Sequence, residues 1–100
     1  MIIGPFMARY GAGQTVSTSV TSGTVTIGAG NKCLRLQNLD STNTIHVRTS
    51  VGSSTATTAD VMLRPNQVIV IQKDMDHDTL AHIAAAGTPS LRIEPGEAGI

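Results

Sequence analysis

Asn31-Lys32-Cys33-Leu34-Arg35-Leu36-Gln37-Asn38-Leu39, then Asp40-Ser41-Thr42-Asn43, then Thr44-Ile45-His46-Val47-Arg48 is the stretch on which the fold is decided. Apolar and polar residues alternate on both sides of a polar turn, the pattern of half-buried β-strands. Leu34 and Leu36 share one face of the first strand. Ile45 and Val47 share one face of the second, with His46 and Arg48 on the other, as a period of two requires. Two such runs around a short turn predict an antiparallel hairpin.

Outward from this centre the same grammar continues. Gln14 to Thr26 is rich in Thr, Ser and Val, whose branched Cβ atoms favour strand over helix. Val16 and Val20 are expected on one face, and beyond Ser22-Gly23, Val25 and Ile27 on another. Gly28-Ala29-Gly30 reads as a turn. Residues 49–60 carry Gly52-Ser53-Ser54 and a Thr/Ala run, and are expected to form a long loop. Arg64-Pro65-Asn66 signals a turn, with Pro where its fixed φ suits. In Val68-Ile69-Val70-Ile71 alternation vanishes, so both faces are expected to be covered, by the arm, a loop or another subunit. Residues 80–86 suit a strand or a helical turn equally, and Gly87-Thr88-Pro89 ends them. Ser90 to Glu94 alternates again, with Leu91 and Ile93 inward.

The series predicts an all-β fold: a small antiparallel β-sandwich, jelly-roll-like, or a barrel, with about seven or eight short strands. Residues 1–13 form an extended N-terminal arm, 14–96 the sandwich domain and 97–100 a C-terminal tail. Gly4, Pro5, Gly11 and Gly13 break regular structure in the arm, while Ile2, Ile3, Phe6, Met7 and Tyr10 are too apolar for a free tail. Two paths satisfy both facts: the arm folds back along its own sheet as an edge strand, or it docks on a neighbour.

Composition narrows the function classes. Phe6 and Tyr10 are the only aromatic residues in 100, so Val, Ile, Leu and Ala pack the body, and a thin core gains from burial against neighbours. Seven basic and seven acidic residues cancel, which removes long-range attraction to nucleic acid or an anionic membrane and leaves proteins as the expected partners. The lone Cys33 allows no internal disulfide and is expected to be a buried hydrophobe. Gly4-Pro5 interrupts the apolar start, so neither a signal peptide nor a membrane span is expected, and assembly in a reducing cytoplasm fits.

The sharpest candidate for chemistry is Asp74, Asp76 and Asp78 at alternate positions with His77 among them, a spacing like the opening of a calcium loop. Thr79 stands where that loop needs Gly and Ala85 where it needs a bidentate Glu, so a solvated acidic turn is expected and no metal or other cofactor. No Ser stands on a strand-turn-helix elbow, no phosphate-cradling loop is present, and the histidines are expected to be ordinary surface or turn residues. No enzyme and no catalytic residue is expected.

The strand series resembles that of small virion proteins of tailed bacteriophages. The resemblance runs from about Gln14 to Gly96, through Val25-Thr26-Ile27, Leu34 to Asn38, Ile45 to Arg48, Ala56 to Asp60, the Pro65 turn before Val68 to Ile71, Ala81 to Ala85, and Leu91-Arg92-Ile93 before Pro95-Gly96. Capsid decoration, or cement, proteins are the members it resembles most. It implies a non-enzymatic protein on the virion, made in the host cytoplasm, that binds the exterior of the head shell and stabilises it. Its partners would be the major capsid protein and copies of itself, as a homo-oligomer on the particle, without nucleic acid or membrane. A neck, tail or fibre component is the alternative. Ile2, Ile3, Phe6, Met7, Arg9 and Tyr10 would form the interface, since large aromatics dominate many binding surfaces.

Overall fold

A computed structural model describes residues 6–8 and 11–98, with side chains for 11–97. Its strands are β1 (Phe6–Ala8), β2 (Gln14–Ser17), β3 (Gly23–Thr26), β4 (Cys33–Asn38), β5 (Ile45–Ser50), β6 (Val61–Leu63), β7 (Val68–Gln72), β8 (Thr79–Ala84) and β9 (Ser90–Ala98). No helix occurs among the described residues.

The strands form two antiparallel sheets. In one the order is β9-β4-β7, with β2 and β1 in turn along the free side of β9; in the other it is β3-β8-β5-β6. The pairs β2 with β9, β3 with β8, β4 with β7 and β5 with β6 describe one long ribbon folded at the β5–β6 turn and wrapped into a sandwich. That wrapping is a jelly roll.

On β4, β5 and β9 alternation predicted the inward residues correctly. Leu34, Leu36, Ile45, Val47, Leu63, Leu80, Leu91 and Ile93 are all fully buried between the sheets, with Ile27 beside them. Val16, Val25, Ile69 and Ile71 close the margins of this core. The partners are another matter. β4 and β5 do not form the expected hairpin: β4 pairs with β7 and β9, β5 with β6 and β8, and the turn at 39–44 carries the chain from one sheet to the other.

Asn38 explains that crossing. It continues the inward series of Leu34 and Leu36, is wholly buried, and donates from Nδ2 to the carbonyls of Asn43 (2.7 Å) and Leu63 (3.2 Å), while its Oδ1 accepts from Asp40 N–H (2.9 Å). A buried amide that satisfies three backbone groups makes a corner, which a two-strand reading of the pattern has no means to represent.

Other expectations are corrected in detail. β2 stops at Ser17, so Val20 leaves the core face and is exposed, and buried Thr18 takes the inward place, its hydroxyl donating to the Pro89 carbonyl. Residues 79–84 are strand, central in their sheet, not helix. β9 runs beyond Glu94 through Pro95 to Ala98. Leu39 N–H donates to Ser90 O, so even-numbered residues of β9 bond toward β4 and odd-numbered ones away from it. The absent N–H of Pro95 therefore faces the gap between β2 and β1, where no described residue accepts from it. The Pro65 turn forms as expected, with Gln67 N–H on Arg64 O and Asn66 at φ 61, a conformation Asn tolerates.

Candidate functional site

The two outer faces of the sandwich differ. On the β3-β8-β5-β6 sheet, the loop over 51–60 lies across the strands: Arg48 Nη1 donates to Thr55 O, Ala56 N–H donates to Ser22 Oγ (2.8 Å), and the His46 ring meets Asp60 O. Ala56 of this strap is buried, and Ala81 and His46 on the sheet are buried too. On the opposite sheet the outer face is open. Arg35 pairs with Glu94, Arg92 reaches Glu94 at 3.7 Å and donates to Thr15 Oγ1, and the Val68-Val70 side of β7 flanks this charged stripe.

For β7, whose two faces are expected to be covered by the arm, a loop or another subunit, the described residues settle only the inner face and the loop. It is the last strand of its sheet, Ile69 and Ile71 pack inward, and among the described residues no loop covers the other face, where Val68 is 41% exposed.

The acidic turn after β7 is built around a lysine. Lys73 is 8% exposed, and its ammonium donates to the carbonyls of Asn31 (2.6 Å) and His77 (2.9 Å), with Asp74 O at 3.4 Å. Burial pulls its pKa below the usual lysine value, while Glu97, Asp76, Asp74 and Asp78 pull it back. Asp78 turns away from the other two carboxylates: its Oδ1 accepts from Gly52 N–H and Thr79 Oγ1, both at 3.0 Å, and these donors hold its pKa below the ordinary value. The set whose ligand atoms gather within 4.8 Å is instead Asp74, Asp76 and His77. These are the residues that could hold a cation. Both His77 nitrogens are engaged, with Thr49 Oγ1 at 2.8 Å and Asp74 Oδ2 at 3.5 Å, and the lysine ammonium already neutralises the turn from inside.

A concavity, open and about 440 Å³, lies where the β4–β5 corner meets the start of β9, lined by Thr15, Leu39, Asp40, Ser41, Thr88, Pro89 and Ser90. Its only carboxylate is committed to its own turn: Asp40 accepts from Thr42 N–H and Oγ1 and from Asn43 N–H and Nδ2, which lowers its pKa.

Two of the three histidines are not the surface residues expected, while His77 lies in the turn after β7. His46 lies under the strap, and His82 points between the sheets in the row of Leu80 and Ala84, opposite Val47 and Gly23. The absence of a side chain at Gly23 makes room for it, since a Cβ there would stand 2.9 Å from the His82 ring. His82 Nδ1 is buried without a hydrogen-bond partner, and burial lowers the pKa of the ring.

Of the expected interface, Ile2, Ile3, Arg9 and Tyr10 lie outside the described residues. Phe6 and Met7 run antiparallel to Ala98 and Glu97 of the same chain, the first of the two paths open to the arm. Lys73 and Asn38 escaped notice because a single base and a single amide in strand patterns have no motif; the signal for Asn38 was its third place in the inward series.

The chain matches no known family model, no curated protein and no solved structure.

Proposed function

We propose that this protein is a non-enzymatic structural component of a tailed-phage virion that binds the outside of the head shell and stabilises it. The observation that supports this most is the unequal treatment of its two faces. One sheet carries a strap pinned by hydrogen bonds, while the other leaves an open surface of paired charges and valines. A face of mixed polarity without a deep concavity suits attachment to another protein surface. Jelly rolls recur among viral shell proteins, an analogy of fold that raises the reading without carrying it.

Repetition supplies the strength. Modest contacts copied over a symmetric shell, with bound copies touching one another, give high occupancy without charge excess. The N-terminal arm, with Ile2, Ile3, Phe6, Met7, Arg9 and Tyr10, adds the aromatic anchors that the sandwich body lacks.

The test is co-sedimentation of the full chain with purified heads that lack it. Binding on the order of hundreds of copies per head is expected for a repeated shell site. A pellet free of the protein, or a few copies per complete particle, overturns the reading and moves the protein to the neck, tail or fibre.

A further inference from the structure

Natural sheets guard their edges with charge, proline, bulges or very short strands, because unpaired backbone groups recruit other strands. β7 has no such guard: no residue between Gln67 and Gln72 is charged, and none is proline. Its hydrogen-bonding direction follows from its neighbours. Asn38 N–H donates to Gln67 O and Lys73 N–H to Lys32 O, so odd-numbered residues of β7 bond to β4. The N–H and C=O groups of Val68, Val70 and Gln72 therefore point off the edge, and none has a partner among the described residues.

We infer that this edge pairs with β7 of a second copy, antiparallel about a two-fold axis at Val70. A two-fold axis normal to the sheet keeps inner and outer faces in register only if paired residue numbers sum to an even value. The register centred on Val70 meets this condition and uses all three outward residues, Val70 opposite its own copy and Val68 opposite Gln72, for six hydrogen bonds by count. It also sets Ile69 opposite Ile71 on the inner side, joining the margins of two cores.

Charge selects a second copy as the occupant. Exposed Arg64 precedes the strand, and exposed Asp74 and Asp76 follow it. Antiparallel self-pairing brings the basic end of each copy to the acidic end of the other, with no charged residue on the paired stretch from Val68 to Gln72. The inference stands on this edge and does not depend on attachment to a shell.

Sedimentation equilibrium of the full chain tests it, with a dimer of the 10.4 kDa chain expected. Val70→Pro removes one outward donor per copy and leaves the β4 ladder intact, and should weaken dimerisation about tenfold or more. Val70→Glu keeps a favourable neighbour in Arg35, its opposite on β4, but sets two carboxylates together at the axis, and should do the same even if the proline variant does not fold. Oxidised Val70→Cys should form a covalent dimer, since directly opposed hydrogen-bonded residues stand about 5.5 Å apart, inside disulfide range; Val20→Cys, exposed and far from this edge, should not. A monomeric wild type, a dimer that survives both Val70→Pro and Val70→Glu, or Val70→Cys that stays uncrosslinked, each overturns the inference. The last two outcomes would assign the edge to the N-terminal arm or another partner.

Discussion

His82 is the residue whose environment departs furthest from its chemistry. Its ring lies between two apolar sheets, its Nδ1 has no partner, and the desolvation that results lowers its pKa from the ordinary 6.5. The sign of the consequence is fixed by the unfolded chain, where the same ring takes a proton near pH 6.5. Stability is therefore full above that value and declines as pH falls through it, because unfolding then gains a proton that the folded state resists. Asp40 and Asp78 have pKa values lowered from 3.8, so the stability they contribute is lost only below that value. Of these three groups, His82 is the one whose contribution changes between pH 6.5 and 3.8. Urea midpoints across this range should fall for the wild type and stay level for His82→Leu, a swap of similar volume expected to change stability at neutral pH by less than about 1.5 kcal/mol. An unaltered slope in the variant would assign the acid sensitivity elsewhere.

At the level of elements, the corner at Asn38 decides which strands meet. Alternation reports which side of a strand faces the core, and every residue it placed inward on β4, β5 and β9 is there: Leu34, Leu36, Ile45, Val47, Leu91 and Ile93. It carries no information on neighbours. In this fold nearly every connection changes sheet, and β5 and β6 are the one directly consecutive pair that hydrogen-bond to each other, so reading adjacent runs as hairpins fails by construction. The candidate sites were legible to a lesser degree for the same reason. The acidic turn was visible as Asp74, Asp76 and Asp78, but long-range contacts gave Asp78 to Gly52 and put Lys73 against Asn31. The corner can be tested directly. Asn38→Ala leaves the Asn43 and Leu63 carbonyls and the Asp40 N–H without their partner in a buried site, and should destabilise by about 2–4 kcal/mol in urea titration. A loss well under 1 kcal/mol, of the size seen for surface changes, would mean that water or a shifted turn satisfies those groups instead.

The molecule as a whole is tied by its longest-range pairings. β2 pairs with β9 and β3 with β8, so beyond its β5–β6 end the β-ribbon closes only when distant segments have met. Such topologies fold slowly and open cooperatively. Cys33 reports on that opening. It begins β4, lies between Gln72 on one side and Gly96 on the other, and is 3% exposed, so a thiol reagent reaches it only when the structure around it opens. Native protein should label about a thousandfold or more slowly than protein in denaturing urea, the protection a domain of ordinary stability gives. If global unfolding is the route, Asn38→Ala, on the far end of the same strand, must accelerate labelling by the factor its stability loss dictates, about tenfold for each 1.4 kcal/mol. Pairing at β7 makes the same rate fall with protein concentration, because Gln72 beside Cys33 lies on the edge that the second copy covers. Rapid labelling that ignores both the variant and the concentration would show that the edge frays by itself, and β7 would then be too mobile to serve as a dimer interface.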